Sequence, residues 1–272
     1  MPGRRVDRQG SGDVREDDGG RDEGMDARGL LRWTGDDGPS QATLAETDRI
    51  MGSLVREGRS PSYVYAVFDG SGIVHASGGG PDAEGRGEAT LTHLRFRIAS
   101  MSKSFTAAAV LRLVWKGLVR FDQPVSDLIP EMSHVIRFRD DDPGITVADL
   151  LSMRSGLATD DAWADRQESV GADDLLAMLR RGVRTVFSPG EGYEYSNLGY
   201  AVLGQVIRTV TGEEPASYIE SRIMRPLGLG DTTYDFRRAP DSLLVAGRHA
   251  ILRTAGPAAA GKGAAAWADE PF

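Results

Sequence analysis

A serine stands three residues before a lysine at the start of an apolar helical segment, in Ser100-Met101-Ser102-Lys103. Side chains at i and i+3 share one face of a helix, so the lysine amine is placed to reach the serine hydroxyl and take its proton. The pattern predicts a helix from Ser102 to Trp115 that ends at Gly117. Ser100 then lies at or just before the helix N-terminus, where backbone N–H groups and the helix dipole favour a negatively charged oxygen. The side chains predicted to be buried on this helix are Ala107, Ala108, Val110, Leu111 and Val114.

The chain has a single asparagine, and it lies in a second short motif, Tyr195-Ser196-Asn197. A serine hydroxyl is a poor nucleophile at neutral pH, so a base must take its proton as it attacks a carbonyl carbon. The neutral amine of Lys103 can be that base, and a tyrosine across the same cavity can pass the proton to the leaving group. An asparagine amide can donate to a substrate carbonyl and accept from the lysine. Together and in this order, the two motifs indicate acyl transfer through a serine ester.

The longer strings around both motifs are similar to those of a known family. Phe96–Thr106 reads F-R-I-A-S-M-S-K-S-F-T, and Pro189–Tyr200 reads P-G-E-G-Y-E-Y-S-N-L-G-Y. With Leu150–Leu157 and Arg225–Tyr234, these strings resemble the beta-lactamase-related serine hydrolases, which include class C beta-lactamases, D-Ala-D-Ala carboxypeptidases, D-aminopeptidases and related esterases. The resemblance covers about residues 42 to 235.

The resemblance implies a role for each of four residues. Ser100 is the expected nucleophile, Lys103 its base partner, Tyr195 the proton-shuttling phenol and Asn197 an orienting amide. It also implies an α/β (α+β) fold of the beta-lactamase/transpeptidase type, with a helical region and an antiparallel sheet of which mainly the N-terminal hairpin is present. The implied activity is that of a serine hydrolase of esterase or peptidase type. Its substrate is a small ester or amide, and no cofactor and no metal are expected.

The third motif of the family is missing from the printed sequence. It is a Lys or His followed by Thr or Ser and then Gly, on a strand whose backbone supplies part of the oxyanion hole. Residues 198–272 contain no such string, and Arg253-Thr254-Ala255-Gly256 is the nearest. Because one oxyanion donor supplies about 2.7–4 kcal/mol of transition-state stabilisation, the alternative hypothesis is a truncated, inactive domain with a binding role at most. The sequence also differs from the family pattern at Met153, where family members often carry His, but this position has no catalytic role.

Composition divides the chain into three predicted parts. Residues 1–40, rich in glycine and acidic side chains, are predicted to be a disordered N-terminal extension. Residues 41–254 are predicted to be the hydrolase domain without its C-terminal part, and residues 255–272 a mobile Ala/Gly-rich tail. In the first half of the domain, the sequence predicts a helix from a capping box at Thr43 to Gly58, a hairpin of Tyr63–Phe68 and Ile73–Ser77, and an extended segment at Leu94–Ile98. In the second half, it predicts a short helix capped by Thr146 and stopped at Gly156, a helix from Leu198 to Gly212 and a short helix at Ala216–Met224.

Charge and residue content argue against several other classes. A net charge of −8 and a pI near 5.1 argue against a nucleic-acid partner, because phosphate binding needs a basic face. The absence of cysteine excludes disulfides and thiolate metal sites, and the histidines show no paired spacing. Without an apolar leader or a run of membrane-spanning length, the protein is predicted to be cytoplasmic with no membrane partner. The oligomeric state is left open.

Some of these residues also have a structural interpretation. Ser100 alone is typical of a helix cap, and Asn197 is predicted to cap the helix that follows it, a role that can coexist with catalysis. Ser102 and Ser196 are either polar fillers or additional proton carriers. Asp140–Asp142 is predicted to be a solvated loop, because a calcium loop needs alternating ligands and a distal glutamate.

Overall fold

The computed structural model describes residues 38–159, 171–235, 245, 248–251 and 266–269. Nearly all of the predicted disordered extension and most of the predicted mobile tail therefore lie outside the described residues. Contacts between Cα atoms divide the chain into two compact units, residues 1–53 and residues 54–272. All four predicted catalytic residues belong to the second unit.

The first described helix, α1, spans Gln41–Arg56 and begins two residues before the predicted start. Ser40 caps it, because the Ser40 Oγ accepts a hydrogen bond from the Thr43 backbone N–H at 3.1 Å. The predicted capping box at Thr43 is therefore wrong. Its expected partner, Glu46, instead forms an ion pair with Arg49 one turn later, at 2.6 Å.

The predicted hairpin is confirmed, with slightly longer strands. Strand β1 is Tyr63–Asp69 and β2 is Gly72–Gly79, and they pair antiparallel with a register irregularity between Val67 and Phe68. In the turn, the Asp69 carboxylate accepts from both the backbone N–H and the hydroxyl of Ser71, at 2.7 and 2.6 Å. This side-chain bridge closes the tight turn that the Asp-Gly-Ser-Gly sequence predicts.

Helix α2, Glu88–Leu91, and a 3-10 turn, Ala99–Met101, lead into α3, Ser102–Trp115, whose bounds match the prediction. Its buried face is partly different from the expected one. Ala109, Val110 and Leu113 are buried on this helix, whereas Leu111 is 47% exposed. The apolar residues of α3 extend around more than one face, so helical periodicity alone does not identify the side that packs.

The helices that follow α3 in the chain are short, except for one. These are α4 (Val147–Leu151), α5 (Ala172–Arg180), α6 (Asn197–Thr211) and α7 (Pro215–Ile219), with a π-turn at Glu220–Met224 and 3-10 turns at Val125–Asp127, Pro130–His134 and Arg225–Leu227. The residues with the least exposed side chains in the shared core include Val110, Leu113, Ile129, Leu150, Leu157, Leu179, Leu203 and Ile207. Each such aliphatic side chain contributes about 1.5–3 kcal/mol on burial, so this core holds α3 and α6 at a defined separation.

Two helix caps decide where the neighbouring loops begin. At α4, the predicted capping box is present, with the Thr146 hydroxyl accepting from the Asp149 N–H at 3.2 Å and the carboxylate of Asp149 accepting from the Thr146 N–H at 2.9 Å. The helix ends at Leu151, before the predicted stop at Gly156. At α6, Gly212 ends the helix as predicted, with a φ of 72°.

Two strands near the end of the chain were not predicted. Strand β3, Arg248–Ile251, pairs antiparallel with β4, Ala266–Asp269, from Arg248 opposite Asp269 to Ile251 opposite Ala266. Residues 266–269 lie inside the segment predicted to be a mobile tail, and they are paired as a strand. Four residues are too few for a period-two pattern to stand out among alanines. The segment predicted to be extended, Leu94–Ile98, contains a β-bridge residue at Arg95, whose carbonyl accepts a hydrogen bond from the Val245 N–H at 2.9 Å.

The acidic loop is the clearest correction to the sequence interpretation. Asp142 is only 5% exposed, not solvated, and its carboxylate accepts from the backbone N–H of Arg139 at 2.7 Å. Burial acts to raise the pKa of Asp142, but hydrogen bonds from Ser188 and the Arg139 backbone, together with the positive charges of Arg139 and Arg137, outweigh it and leave the pKa below its ordinary value. Within the described residues, no helix has both the length and the apolar character to span a membrane.

Candidate active site

The site begins with the turn that carries Ser100. This residue lies in the 3-10 turn Ala99–Met101, directly before α3, and its side chain is exposed. The preceding residue, Ala99, has a φ of +43°, a left-handed conformation that costs an L-residue roughly 1–2 kcal/mol. The helix that follows is 14 residues long. The turn therefore presents the hydroxyl at the positive end of the α3 dipole.

Lys103 is the second residue of α3, and its half-buried side chain brings the amine to two oxygens. Nζ donates to the Ser100 Oγ at 2.9 Å and to the Asn197 Oδ1 at 2.6 Å. The first contact follows from the i, i+3 spacing within one helix. The second crosses from α3 to the first residue of α6, which is supplied by a distant part of the chain.

Tyr195 completes the cluster from the loop that precedes α6. Its hydroxyl donates to the Ser100 Oγ at 2.6 Å, and the Lys103 Nζ lies 4.9 Å from the centre of its ring. The structure thus brings together all four residues that the sequence singles out. Ser100 Oγ is the common acceptor, with an amine on one side and a phenol on the other.

The loop that carries Tyr195 is held against the loop that follows α4. Backbone N–H groups of Gly190 and Glu194 donate to the carbonyls of Arg154 and Met153, at 2.8 and 2.9 Å. Met153 itself has a φ of +56°, and its Sδ lies 3.6 Å from the hydroxyl of Tyr193. Two backbone hydrogen bonds therefore fix the position of the Tyr195 loop without any catalytic side chain.

A glycine makes this close approach possible. Gly156 has a φ of +77°, and a Cβ at that position would lie 2.2 Å from the Phe187 carbonyl oxygen. The Val186 N–H donates to the Gly156 carbonyl at 2.8 Å. A larger residue at position 156 would force apart the loop that follows α4 and the loop that carries Tyr195.

The inner residue of the second motif has a structural role. Ser196 is 2% exposed, and its Oγ accepts from the Gly199 N–H at 3.1 Å, which makes it the N-cap of α6. The prediction that Asn197 caps this helix is therefore wrong, because Asn197 is the first helical residue. The cap at Ser196 leaves the amide of Asn197 available to accept from Lys103.

One residue of the site was missed in the sequence interpretation. Tyr200 donates its hydroxyl to the Leu151 carbonyl at 3.1 Å, and its ring centre lies 5.9 Å from the Lys103 Nζ. Burial raises the pKa of Tyr200, and the nearby Tyr195 and Tyr193 add to the effect. Its position three residues after Asn197, on the same face of a predicted helix, is the signal that identifies it.

Among the residues that the structure describes, no group of three or more His, Asp or Glu side chains is arranged to hold a metal ion. The polar groups that converge on Ser100 are instead an amine, a phenol and an amide. Such an arrangement suits proton transfer to and from a hydroxyl, together with hydrogen bonding to a carbonyl.

Two comparisons relate the chain to known proteins. A penicillin-binding protein of Bacillus subtilis (strain 168) is 29% identical over 158 residues, which are 56% of this chain and 33% of that protein. The solved octameric penicillin-binding protein homologue from Pyrococcus abyssi superposes with a TM-score of 0.64 at 22% identity, over 84% of this chain and 50% of that one. The chain thus spans about a third to a half of the length of these relatives.

A third comparison is with a D-stereospecific amidohydrolase from Streptomyces sp., at a TM-score of 0.53 and 26% identity. It covers 68% of this chain and 54% of that one. Residues 47–268, most of the chain, match the family model described as Beta-lactamase. With its helical core, its antiparallel hairpin and this match, the chain belongs to the beta-lactamase family of serine hydrolases.

Proposed function

We propose that this protein cleaves an ester or a small amide through an acyl-serine intermediate on Ser100. The observation that carries the proposal is the pair of hydrogen bonds to Ser100 Oγ, from Lys103 Nζ at 2.9 Å and from Tyr195 OH at 2.6 Å. A hydroxyl held between an amine and a phenol has a route for losing its proton and for passing that proton on.

In the first step, Ser100 Oγ attacks the carbonyl carbon of the substrate while its proton moves to the neutral amine of Lys103. The Oγ–C bond forms, and the carbonyl oxygen becomes an oxyanion. Asn197, whose Oδ1 lies 2.6 Å from Nζ, holds the amine in line with the hydroxyl. The position of Ser100 at the start of α3 favours the negative charge that develops there.

In the second step, the bond from the carbonyl carbon to the leaving group breaks. Tyr195 donates its phenol proton to the departing oxygen or nitrogen and is reprotonated from the Lys103 ammonium, since both groups lie within hydrogen-bond distance of Ser100 Oγ, at 2.6 and 2.9 Å. Water then attacks the acyl-serine and the proton transfers run in reverse, which releases the acid and restores the Ser100 hydroxyl.

The test uses the full chain with a chromogenic short-chain ester and a fluorophosphonate, followed by measurement of the intact mass. We expect ester hydrolysis and a single phosphonyl adduct in the wild-type protein. Ser100→Ala should abolish both, whereas Ser104→Ala, an exposed serine one turn further along α3, should keep them. An adduct that persists in Ser100→Ala would overturn the assignment of the nucleophile.

A second candidate function is ligand binding without turnover. The observation that favours it is the absence, in residues 198–272, of a Lys or His followed by Thr or Ser and Gly. In that case, soluble folded protein would form no adduct with the fluorophosphonate, yet would bind short-chain esters or amides by calorimetry. The first experiment therefore separates the two candidates.

A further inference from the structure

We propose that Tyr200 is a positioning residue that holds the amine of Lys103 in the site by presenting its ring to it. The Lys103 Nζ lies 4.9 Å from the ring centre of Tyr195 and 5.9 Å from that of Tyr200. Both distances fall within the roughly 6 Å over which an ammonium is attracted to an aromatic face, and Lys103 is an ammonium once it has accepted the Ser100 proton. The amine is therefore flanked by two phenol rings as well as two oxygen acceptors.

The same helix supplies an acceptor and a ring. Asn197 and Tyr200 are three residues apart on α6, so they lie on one face of the helix. Asn197 accepts from Lys103 through its Oδ1, and Tyr200 brings its ring near the same nitrogen. A rigid helix thus sets the spacing between the two groups that receive the amine.

The hydroxyl of Tyr200 fixes the orientation of the ring. It donates to the Leu151 carbonyl at 3.1 Å, and Leu151 is the last residue of α4. A carbonyl in the last turn of a helix has no acceptor role within that helix, so this hydrogen bond satisfies it. Tyr200 therefore joins α4 to α6 directly behind Lys103.

Tyr200 itself takes no part in proton transfer. Burial, together with the neighbouring Tyr195 and Tyr193, holds the pKa of Tyr200 above its ordinary value, so the phenol stays neutral at working pH. Its hydroxyl proton is donated in a hydrogen bond to the Leu151 carbonyl. What it offers Lys103 is the face of an uncharged ring, and its role is placement.

The predicted change in the rate of Ser100 acylation rests on the proposed function, whereas the predicted placement of the Lys103 amine does not. Without the Tyr200 ring, the long lysine side chain gains access to other rotamers, and we expect acylation of Ser100 to slow by about three- to tenfold. The placement of the amine can be tested separately, because the chain has only three lysines.

The experiment labels the full chain with lysine carrying carbon-13 at Cε and records the ε-methylene signals at fixed pH. Lys103 is assigned by the loss of one signal in Lys103→Arg. Ring currents should shift this signal upfield of free lysine. Tyr200→Phe, which keeps the ring, should preserve the shift, and Tyr200→Leu should reduce it. Tyr193→Leu, an exposed tyrosine in the neighbouring loop, is the matched control and should leave it unchanged.

A Lys103 signal at the free-lysine position in the wild-type protein, or an unchanged upfield shift in Tyr200→Leu, would overturn the proposal. Because the Tyr195 ring lies nearer to the amine, Tyr195→Leu isolates the contribution of Tyr200 even if Tyr200→Leu does not fold: an upfield shift that remains in Tyr195→Leu supports the proposal, and a shift lost completely there overturns it. Phosphonylation rates are measured on the same samples. Absence of phosphonylation with the predicted shifts intact would count against the proposed function and leave the placement by Tyr200 standing.

Discussion

The amine of Lys103 lies 2.6 Å from the amide oxygen of Asn197, although the two residues are 94 positions apart in the chain. Lys103 belongs to α3 and Asn197 to α6, and both helices contribute to one buried core. The packing of two helices therefore decides whether the lysine of the first motif meets the asparagine of the second. This contact makes the two motifs a single site.

Asn197→Ala should slow acylation of Ser100. It removes an acceptor from a hydrogen bond to an amine, a contact worth about 1.5–3 kcal/mol when the amine is charged, so we expect a roughly 10- to 100-fold lower rate. The measurement is the rate of phosphonylation by intact mass. Asn197→Gln, which retains a neutral amide acceptor, is the control and should retain more activity than the alanine variant. Equal rates in Asn197→Ala and the wild type would show that this contact has no catalytic role.

Much of this site could be predicted from the sequence, because its parts are local. The Ser100-to-Lys103 spacing is a property of one helix, and the predicted bounds of α3 match the structure. The hairpin and the Thr146 cap likewise depend on a few adjacent residues. Local hydrogen bonding gives such features a sequence signature.

What could not be predicted depends on tertiary packing. Asp142 reads as one of three solvated acidic residues, but burial beside Arg139 makes it structural. Tyr200 has no role assigned from the sequence, and its distance from Lys103 depends on how α6 packs beside α3. The buried face of α3 is set by which helices pack against it, and its own apolar pattern does not specify them.

Ser196→Ala should destabilise the protein more than an ordinary surface substitution. The buried Ser196 hydroxyl accepts from the Gly199 N–H at the start of α6, and loss of such a cap costs about 0.5–2 kcal/mol. Chemical denaturation gives the free energy of unfolding. Ser217→Ala, at an exposed position on α7, is the matched control and should change it by less than about 0.5 kcal/mol. Equal stabilities of the two variants would remove the capping role.

The effect of a substitution at Ala99 should depend on how readily the new residue adopts a positive φ. Its φ of +43° suits glycine and strongly disfavours a β-branched residue. In Ala99→Gly, relief of strain and the added freedom of the unfolded chain nearly cancel, so the stability should stay within about 0.5 kcal/mol of wild type. Ala99→Val should lose at least about 1 kcal/mol and slow acylation, because it displaces the turn that carries Ser100. Denaturation and phosphonylation rates check both, and a valine variant as stable as the glycine variant would contradict the strained turn.

Asp142 should contribute to stability at neutral pH and lose that contribution in acid. Its pKa is lower in the folded protein than in the unfolded chain, so the folded state favours the carboxylate. The stabilisation is therefore fully present above the unfolded pKa, roughly 3.9, and disappears as the pH falls through the lower folded pKa. Urea midpoints between pH 7 and pH 2.5 should fall less steeply for Asp142→Asn than for the wild type. Asp141→Asn, at an exposed neighbour, controls for the change in net charge, and identical acid limbs in wild type and Asp142→Asn would refute the prediction.

Tyr195→Phe should have an effect that depends on the leaving group. The substitution keeps the ring 4.9 Å from the Lys103 amine but removes the hydroxyl that lies 2.6 Å from Ser100 Oγ. Loss of a general acid typically costs about 10²- to 10⁴-fold in rate. An alkyl ester or amide needs a proton on its leaving group and should show the large loss, whereas a nitrophenyl ester, whose leaving group departs as a stable anion, should show a much smaller one. Rates on the two ester classes, measured on the same preparation with Tyr193→Phe as control, give the comparison. Equal losses on both would mean that the Tyr195 hydroxyl acts in the attack of Ser100 and not in the departure of the leaving group.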